Sequence, residues 1–232
     1  RWSLTADLVG EGRSPTERGH ATALALLERH GVVTREAVLA EGLAGGFAGI
    51  YAVLRVMEES GRVRRGYFVE GLGAAQFAMP GAVDRLRAER DADSEAGPRV
   101  HLLGAADPAQ PYGATLPWPR DGEDGERLPL QRVPGAYVVL VDGAAALYVE
   151  RGGKGLLTLP AFADPEIATP ALAALPRLVQ AGGPMRELRL ERVDRVPPAE
   201  SSLAERLREL GFRPSYRSWL LRPEAGAPAR GR

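Results

Sequence analysis

The chain has 232 residues with 30 basic and 30 acidic side chains, a hydrophobic content of 44 % and no cysteine. The length slightly favours two domains over one, the hydrophobic content argues against general disorder, and the missing cysteine excludes disulfides, zinc knuckles, iron–sulfur clusters and thiol nucleophiles. The balanced charge argues against a protein whose whole surface binds nucleic acid, because phosphate binding needs a local excess of cations.

Three short helices are predicted in the first part of the chain. Residues 1–13 contain scattered glycines and charged residues and are interpreted as a linker. The run Ser14-Pro15-Thr16-Glu17 combines an N-cap, a first-turn proline and a capping box, so it predicts a helix that ends near Gly31. Thr34 caps a second short helix. A third helix follows Gly45-Gly46, and its apolar face comprises Phe47, Ile50, Tyr51, Leu54 and Met57.

A β-hairpin is predicted directly after the helices. Residues 62–69 and 74–79 are strand-like and flank a turn that contains glycine. Three helices followed by a hairpin is the order of a winged helix, in which the hairpin is the wing and the third helix usually enters a nucleic-acid groove. With a short trailing helix at 83–90, the predicted winged-helix domain covers residues 14–90.

A second, α+β domain is predicted at residues 99–223, after a polar boundary at 91–98. It begins with a strand at 100–103, continues through a long Pro- and Gly-rich stretch at 107–134, and then forms a hairpin around Asp142-Gly143. The segment from Ile167 to Gln180 is helical in composition but carries Pro170 and Pro176, and Pro176 would disrupt a helix interior unless it starts or kinks a helix. A strand at Leu188–Val193 then begins a strand–helix–strand ending. Hairpins mixed with helices and no βαβ periodicity favour a curled sheet or a small barrel, and the composition of residues 224–232 predicts a disordered tail.

Arginines in the wing are the strongest binding signal of the sequence. Arg62 and Arg64 are predicted on one face of a strand and Arg65 on the other, with Tyr67 and Phe68 beside them. Two arginines next to an aromatic ring suit a phosphate backbone with a stacked base. The alternative is a solvated edge strand that charge keeps soluble.

Sequence-specific recognition is not favoured. The polar residues of the third helix are Arg55, Glu58 and Glu59, and none of them is an Asn, Gln or Lys that reads base edges. Only Lys154 among the 30 basic residues is a lysine. This bias fits a GC-rich genome, and it also fits selection for the bidentate guanidinium at phosphates.

A possible catalytic site is suggested in the second region by Asp107, Tyr112 and Trp118. A carboxylate beside exposed aromatic rings suits a flipped base and an activated water. The alternative is that Asp107 starts a turn and the two rings anchor the loop. Gly152-Gly153-Lys154-Gly155 fails the Walker A pattern, the three histidines lack metal-ligand spacing, and no metal or cofactor is predicted for this chain.

Several segments resemble the C-terminal end of the large helicase-related (Lhr) family: Glu17–His20, Gly31–Glu36, Gly46-Phe47, Gly61–Val69, Ala75–Ala78 and Asp107–Gly113. Members of that family are bacterial ATP-dependent superfamily 2 helicases that translocate along single strands and are linked to DNA repair. The resemblance implies a winged helix followed by a β-barrel-like domain, similar to the AlkZ-type DNA glycosylases. It also implies that ATP and Mg belong to the parent protein, because no motor motif is present here.

The leading hypothesis is therefore a nucleic-acid-binding accessory region of a repair helicase, with single-stranded or junction DNA and the upstream helicase core as partners. The first alternative is a glycosylase for uracil or a damaged base. The Gln-x-Gln motif of AlkZ-type enzymes is absent, and Gln76 alone does not supply it. The second alternative is a protein-interaction or oligomerisation module, suggested by the apolar third helix. A cytoplasmic fragment of a longer chain is expected, with no membrane partner.

Overall fold

The computed structural model describes residues 2–5, 14–73, 75–90, 97–120 and 128–223. The chain forms two compact units that divide near Asp93. Most of the predicted linker at 1–13, most of the predicted boundary at 91–98, residues 121–127 of the Pro- and Gly-rich stretch and the predicted tail at 224–232 lie outside the described residues.

The first unit combines helices with a small antiparallel sheet. Its helices are α1 (Pro15–His30), α2 (Arg35–Ala40), α3 (Gly46–Glu59) and α4 (Pro80–Arg90). Its strands are β1 (Val32–Val33), β2 (Arg64–Gly66) and β3 (Gln76–Ala78), in the order β1-β3-β2.

Local capping sets where the first helices begin. The Ser14 hydroxyl accepts a hydrogen bond from the Glu17 amide at 3.2 Å, and the Glu17 carboxylate accepts one from the Ser14 amide at 2.9 Å, which completes the predicted capping box. The Thr34 hydroxyl accepts from the Ala37 amide at 3.1 Å and caps α2. These bonds join residues three apart, so the sequence pattern alone predicts them.

Helix α3 fills the core of the first unit. Ile50, Leu54 and Met57 are buried, while Phe47 and Tyr51 are partly buried against the same cluster. The other buried members of this cluster are Ala23, Leu26, Leu27, Val33, Val38, Val63 and Phe77. The apolar face that suggested an interaction module therefore packs inside the unit.

The second unit is built from eight strands, two short α-helices and three 3₁₀ turns within the described residues. Its strands are β4 (Val100–Gly104), β5 (Tyr137–Val141), β6 (Ala144–Val149), β7 (Gly155–Thr158), β8 (Leu188–Leu190), β9 (Arg192–Val193), β10 (Arg213–Ser215) and β11 (Ser218–Leu221). Its helices are α5 (Pro165–Ala173) and α6 (Ala204–Glu209), and its 3₁₀ turns are Arg151–Gly153, Pro160–Ala163 and Leu175–Leu178.

Two sheets of the second unit share one stretch of chain. The larger sheet has the order β4-β5-β6-β7-β9, and the smaller has the order β10-β11-β8. Strands β8 and β9 are separated only by Glu191, so the strand predicted at Leu188–Val193 is split where it passes from one sheet to the other. A chain that switches between sheets in this way makes a corner.

The hairpin predicted at Asp142-Gly143 is confirmed. Both residues have positive φ, 48° and 85°, as a two-residue turn with matching twist requires. By contrast, the segment from Ile167 to Gln180, which is helical in composition, does not form one continuous α-helix. The helical chain breaks at Ala174 into α5 and a 3₁₀ turn, because Pro176 has no amide hydrogen to continue the α-helical ladder.

In the described part of the chain, no helix is both long and apolar enough to cross a membrane.

Candidate nucleic-acid interface

The wing is formed by β2 and β3, which pair antiparallel with Arg65 opposite Phe77. Strand β2 covers only Arg64–Gly66, so the strand predicted at 62–69 is too long. The amide of Arg62 instead donates to the Met57 carbonyl at 2.9 Å and belongs to the turn that follows α3. The expectation that Arg62 and Arg64 share one face of a strand is therefore wrong.

Gln76 organises the loop between the two strands. Its side chain is fully buried, and Oε1 accepts from the amides of Phe68 and Val69, each at 2.8 Å. Its Nε2 donates to the carbonyls of Val69 at 3.0 Å and Leu72 at 3.1 Å. These bonds divert the backbone of 68–72 from the strand ladder, which explains why β2 ends at Gly66. Sequence reasoning did not assign this role to Gln76.

The three wing arginines differ in their surroundings. Arg64 is exposed and makes no ion pair with any described residue. Arg62 donates from Nη1 to Nε2 of His20 at 3.3 Å. Arg65 lies 3.2 Å from a carboxylate oxygen of Glu58 and donates to the Tyr51 hydroxyl at 3.4 Å. Arg64 is therefore the most available of the three for a phosphate, and Arg65 is partly neutralised.

Tyr67 lies directly after β2 and is 87 % exposed. A large aromatic side chain that is this exposed contributes little to the core, and it is free to stack on a base.

Helix α3 presents small residues to solvent. Ala48, Gly49 and Ala52 are exposed. Further along the helix, Arg55 and Glu59 form an ion pair with each other at 3.4 Å. The first half of this face has no long hydrogen-bonding side chain, and the guanidinium of Arg55 in the second half is paired with Glu59, so the face is poorly suited to reading base edges. This surface and the wing are suited to the backbone of a nucleic acid rather than to its sequence.

Asp107 lies on an exposed turn of the second unit. Its Oδ1 accepts from the Ala109 amide at 2.8 Å, the bond by which an aspartate stabilises a turn. The Arg132 guanidinium donates to the Asp107 carbonyl at 3.1 Å.

Tyr112 and Trp118 pack against each other in the loop that follows Asp107. Their rings are stacked with centroids 6.3 Å apart and 19° between the planes, and Trp118 meets Tyr148 edge-on at 5.7 Å. The Tyr112 hydroxyl donates to the Gly143 carbonyl at 2.9 Å. Burial raises the pKa of the Tyr112 and Tyr148 hydroxyls, and a main-chain hydrogen bond opposes the rise in each.

The side chain of Gln110 stabilises this loop through hydrogen bonds to its backbone. Its side chain is fully buried and donates to the carbonyls of Ala105 at 3.2 Å and Tyr112 at 2.9 Å. Its Oε1 accepts from the Tyr112 amide. The sequence signal that could have found Gln110 is a glutamine inside an otherwise apolar and Pro-rich segment. Within the described residues, no three His, Cys, Asp or Glu side chains are grouped so as to hold a metal ion.

The first unit matches a known family. Residues 12–98 fit the family model described as the winged-helix domain of the large helicase-related protein. This part of the chain therefore matches a winged-helix domain of the large helicase-related family. The resemblance seen in the sequence and the α+β class are thus confirmed.

Two curated relatives extend the similarity through the second unit. One is the "Lhr helicase/ probable uracil glycosylase" of Mycolicibacterium smegmatis, which is 47 % identical over 84 % of this chain. The other is the "Lhr helicase/uracil glycosylase" of Escherichia coli, which is 39 % identical over 91 % of this chain. The chain spans 12 % and 13 % of the lengths of these large helicase-related proteins.

Proposed function

We propose that this chain is a nucleic-acid-binding accessory region of an Lhr-type DNA helicase that acts in DNA repair. The observation that supports this best is the wing, where exposed Arg64 begins a short strand and exposed Tyr67 directly follows it. The wing lies in the part of the chain that matches a winged-helix domain of that family. The buried side chain of Gln76 accepts hydrogen bonds from the wing loop, so the backbone that carries Arg64 and Tyr67 is held in place.

Binding of this kind depends on nucleic-acid structure rather than on base sequence. Arg62 and Arg64 supply charge to a phosphate backbone, Arg65 adds a weaker contribution, and Tyr67 stacks on an unpaired base. Single-stranded or junction DNA offers both a backbone and unstacked bases. The helicase core upstream in the same polypeptide would hydrolyse ATP with Mg, and this region would bind the DNA.

The test is a binding titration with the triple variant Arg62→Ala, Arg64→Ala, Arg65→Ala. Fluorescence anisotropy with single-stranded and forked DNA measures the affinity. We expect it to weaken roughly tenfold to a hundredfold, because three charge contacts of about 0.5–1 kcal/mol each are lost.

A matched control removes three exposed arginines of the same unit that lie outside the wing: Arg18, Arg35 and Arg85. It lowers the net charge equally and should keep most of the affinity. Equal losses in the two triple variants would show that binding follows net charge, and an unchanged affinity of the wing variant would refute the assignment.

A second candidate function is DNA glycosylase activity on uracil, since both relatives carry that word in their names. In this chain Asp107 is the candidate that would activate water, because it is exposed next to a loop of aromatic residues. The expected result is strand cleavage at uracil after alkali treatment by the wild type, and its loss in Asp107→Asn. The control is Asp142→Asn, a second turn aspartate of the same unit. Full activity of Asp107→Asn would exclude the role of Asp107.

A further inference from the structure

The tip of the β10–β11 hairpin in the second unit carries an aromatic residue with no partner in the core. Ser215 pairs with Ser218, so Tyr216 and Arg217 form a two-residue turn. Tyr216 is 97 % exposed, even more than Tyr67 of the wing. Folding therefore gains almost nothing from burying this ring.

The backbone of Tyr216 is also unfavourable for its side chain. Its φ is 50°, in the left-handed region where two-residue hairpin turns favour Gly, Asn or Asp. A tyrosine is less favourable there than a glycine, because its Cβ crowds the backbone in this conformation. An exposed ring kept at an unfavourable backbone position indicates a role outside folding.

The stem below the tip is firmly held. The Ser218 hydroxyl donates to the Ser215 carbonyl at 3.0 Å, and Arg189 of β8 donates to the Ser218 hydroxyl at 3.4 Å. Trp219 is buried, with the guanidinium carbon of Arg208 4.9 Å from its ring centroid. The tip therefore projects from an ordered three-stranded sheet.

Cations lie beside the exposed ring. The guanidinium carbon of Arg217 is 5.4 Å from the Tyr216 ring centroid, and the two residues line a groove of about 730 Å³ together with Arg189, Arg192 and Glu191.

The arginines of the groove differ in how they are paired. Arg189 is paired with Glu187 at 2.9 Å and Arg192 with Glu150 at 2.6 Å, whereas Arg217 meets no carboxylate of the described residues. The unpaired positive charge thus lies at the tip, next to the ring.

We propose that this hairpin tip is a second contact for single-stranded nucleic acid, in which Tyr216 stacks on a base and Arg217 binds the neighbouring phosphate. The proposal rests on the nucleic-acid-binding function proposed above. A ring plus one guanidinium matches a single nucleotide, whereas a specific protein interface needs about 800 Å² on each partner, far more than one exposed tyrosine offers.

The test compares tip variants of the full chain by anisotropy with a single-stranded DNA. Tyr216→Ala should weaken binding by about fivefold to a hundredfold, the range for losing one base–aromatic stack, and Tyr216→Trp should restore it. Arg217→Ala should weaken binding and lower the slope of log affinity against log salt by about 0.7. Arg151→Ala is the matched control, because it removes an exposed arginine of the same unit that does not line the groove.

A glycine variant separates binding from folding. Tyr216→Gly relieves the left-handed backbone, so its melting temperature should equal or exceed that of the wild type, while its DNA affinity falls as in Tyr216→Ala. A fall in melting temperature together with affinity would overturn the proposal by showing that the ring supports the fold.

The outcomes distinguish this proposal from the function on which it rests. If the wild type binds DNA and the wing variant does not, but Tyr216→Ala binds like the wild type, the tip is not a nucleic-acid contact and the wing assignment stands. If the tip variants lose affinity and the wing variant keeps it, the tip is a contact and the wing assignment fails. A wild type that binds no DNA overturns both.

Discussion

The side chain on which the shape of the wing depends most is Gln76. It is buried, and it satisfies two amides and two carbonyls of the loop between β2 and β3. Gln76→Leu would leave those groups without partners, so we expect the free energy of unfolding of the first unit to fall by about 2–5 kcal/mol. Urea denaturation measures the change. The exposed Gln180→Leu is the control and should be near neutral, and a wild-type midpoint for Gln76→Leu would refute the role.

For single residues, the sequence shows which side chains are present, but it does not show which of their charges are free to bind a phosphate. The arginines at 62, 64 and 65 are visible in the sequence as a cluster, but the neighbour that weakens Arg65 is Glu58, on the last turn of α3. Which arginine charge is free depends on how the wing packs on that helix. The hydrophobic periodicity of the sequence does not contain this information. Gln76 was missed for the same reason, since its four partners are backbone groups of a loop.

Helices α1 and α2 are joined at their ends by one carboxylate. Glu41 lies directly after α2, and its carboxylate pairs with Arg29 and His30 on the last turn of α1. The distance from Nε2 of His30 to the nearer carboxylate oxygen is 2.9 Å. Hydrogen bonds from Arg29 and His30 lower the pKa of the Glu41 carboxyl.

Replacing this carboxylate should give a pH-dependent loss of stability. A glutamate with a lowered folded-state pKa stabilises the fold above the ordinary glutamate pKa, and this contribution is lost as pH falls through the folded value. Glu41→Gln should therefore lower the free energy of unfolding by about 0.5–1 kcal/mol at neutral pH, with the gap closing in acid. Denaturant titrations at several pH values test this. Glu28→Gln, an exposed change on α1, should show no such gap.

Elements with local signals were predicted best. The capping box at Ser14 and the Asp142-Gly143 turn depend on residues within three positions, and both are as expected. The extents of longer elements were not predicted, because partners far along the chain set them. Leu188–Val193 is split since its two halves pair with β11 and β7, and β2 is short since Gln76 takes the amides that would have extended it.

For the whole molecule, the equal numbers of acidic and basic residues describe an average that hides local differences. On the wing, Arg65 is offset by Glu58 while Arg64 is not, and on the β10–β11 hairpin Arg217 meets no carboxylate of the described residues. A neutral chain can therefore bind a polyanion through few, well-placed arginines. Such binding predicts a modest salt dependence, because only a small number of counterions is released.

The salt dependence of single-stranded DNA binding shows how many phosphates the three arginines of the wing region contact. Affinity is measured from low to physiological salt for the wild type and for the Arg62, Arg64 and Arg65 triple variant. Each lost phosphate contact lowers the slope of log affinity against log salt by about 0.7. We expect a decrease of about 1.5–2 for the triple variant, with Arg65 contributing least. A slope equal to that of the wild type, or an equal decrease in the Arg18, Arg35 and Arg85 control, would contradict it.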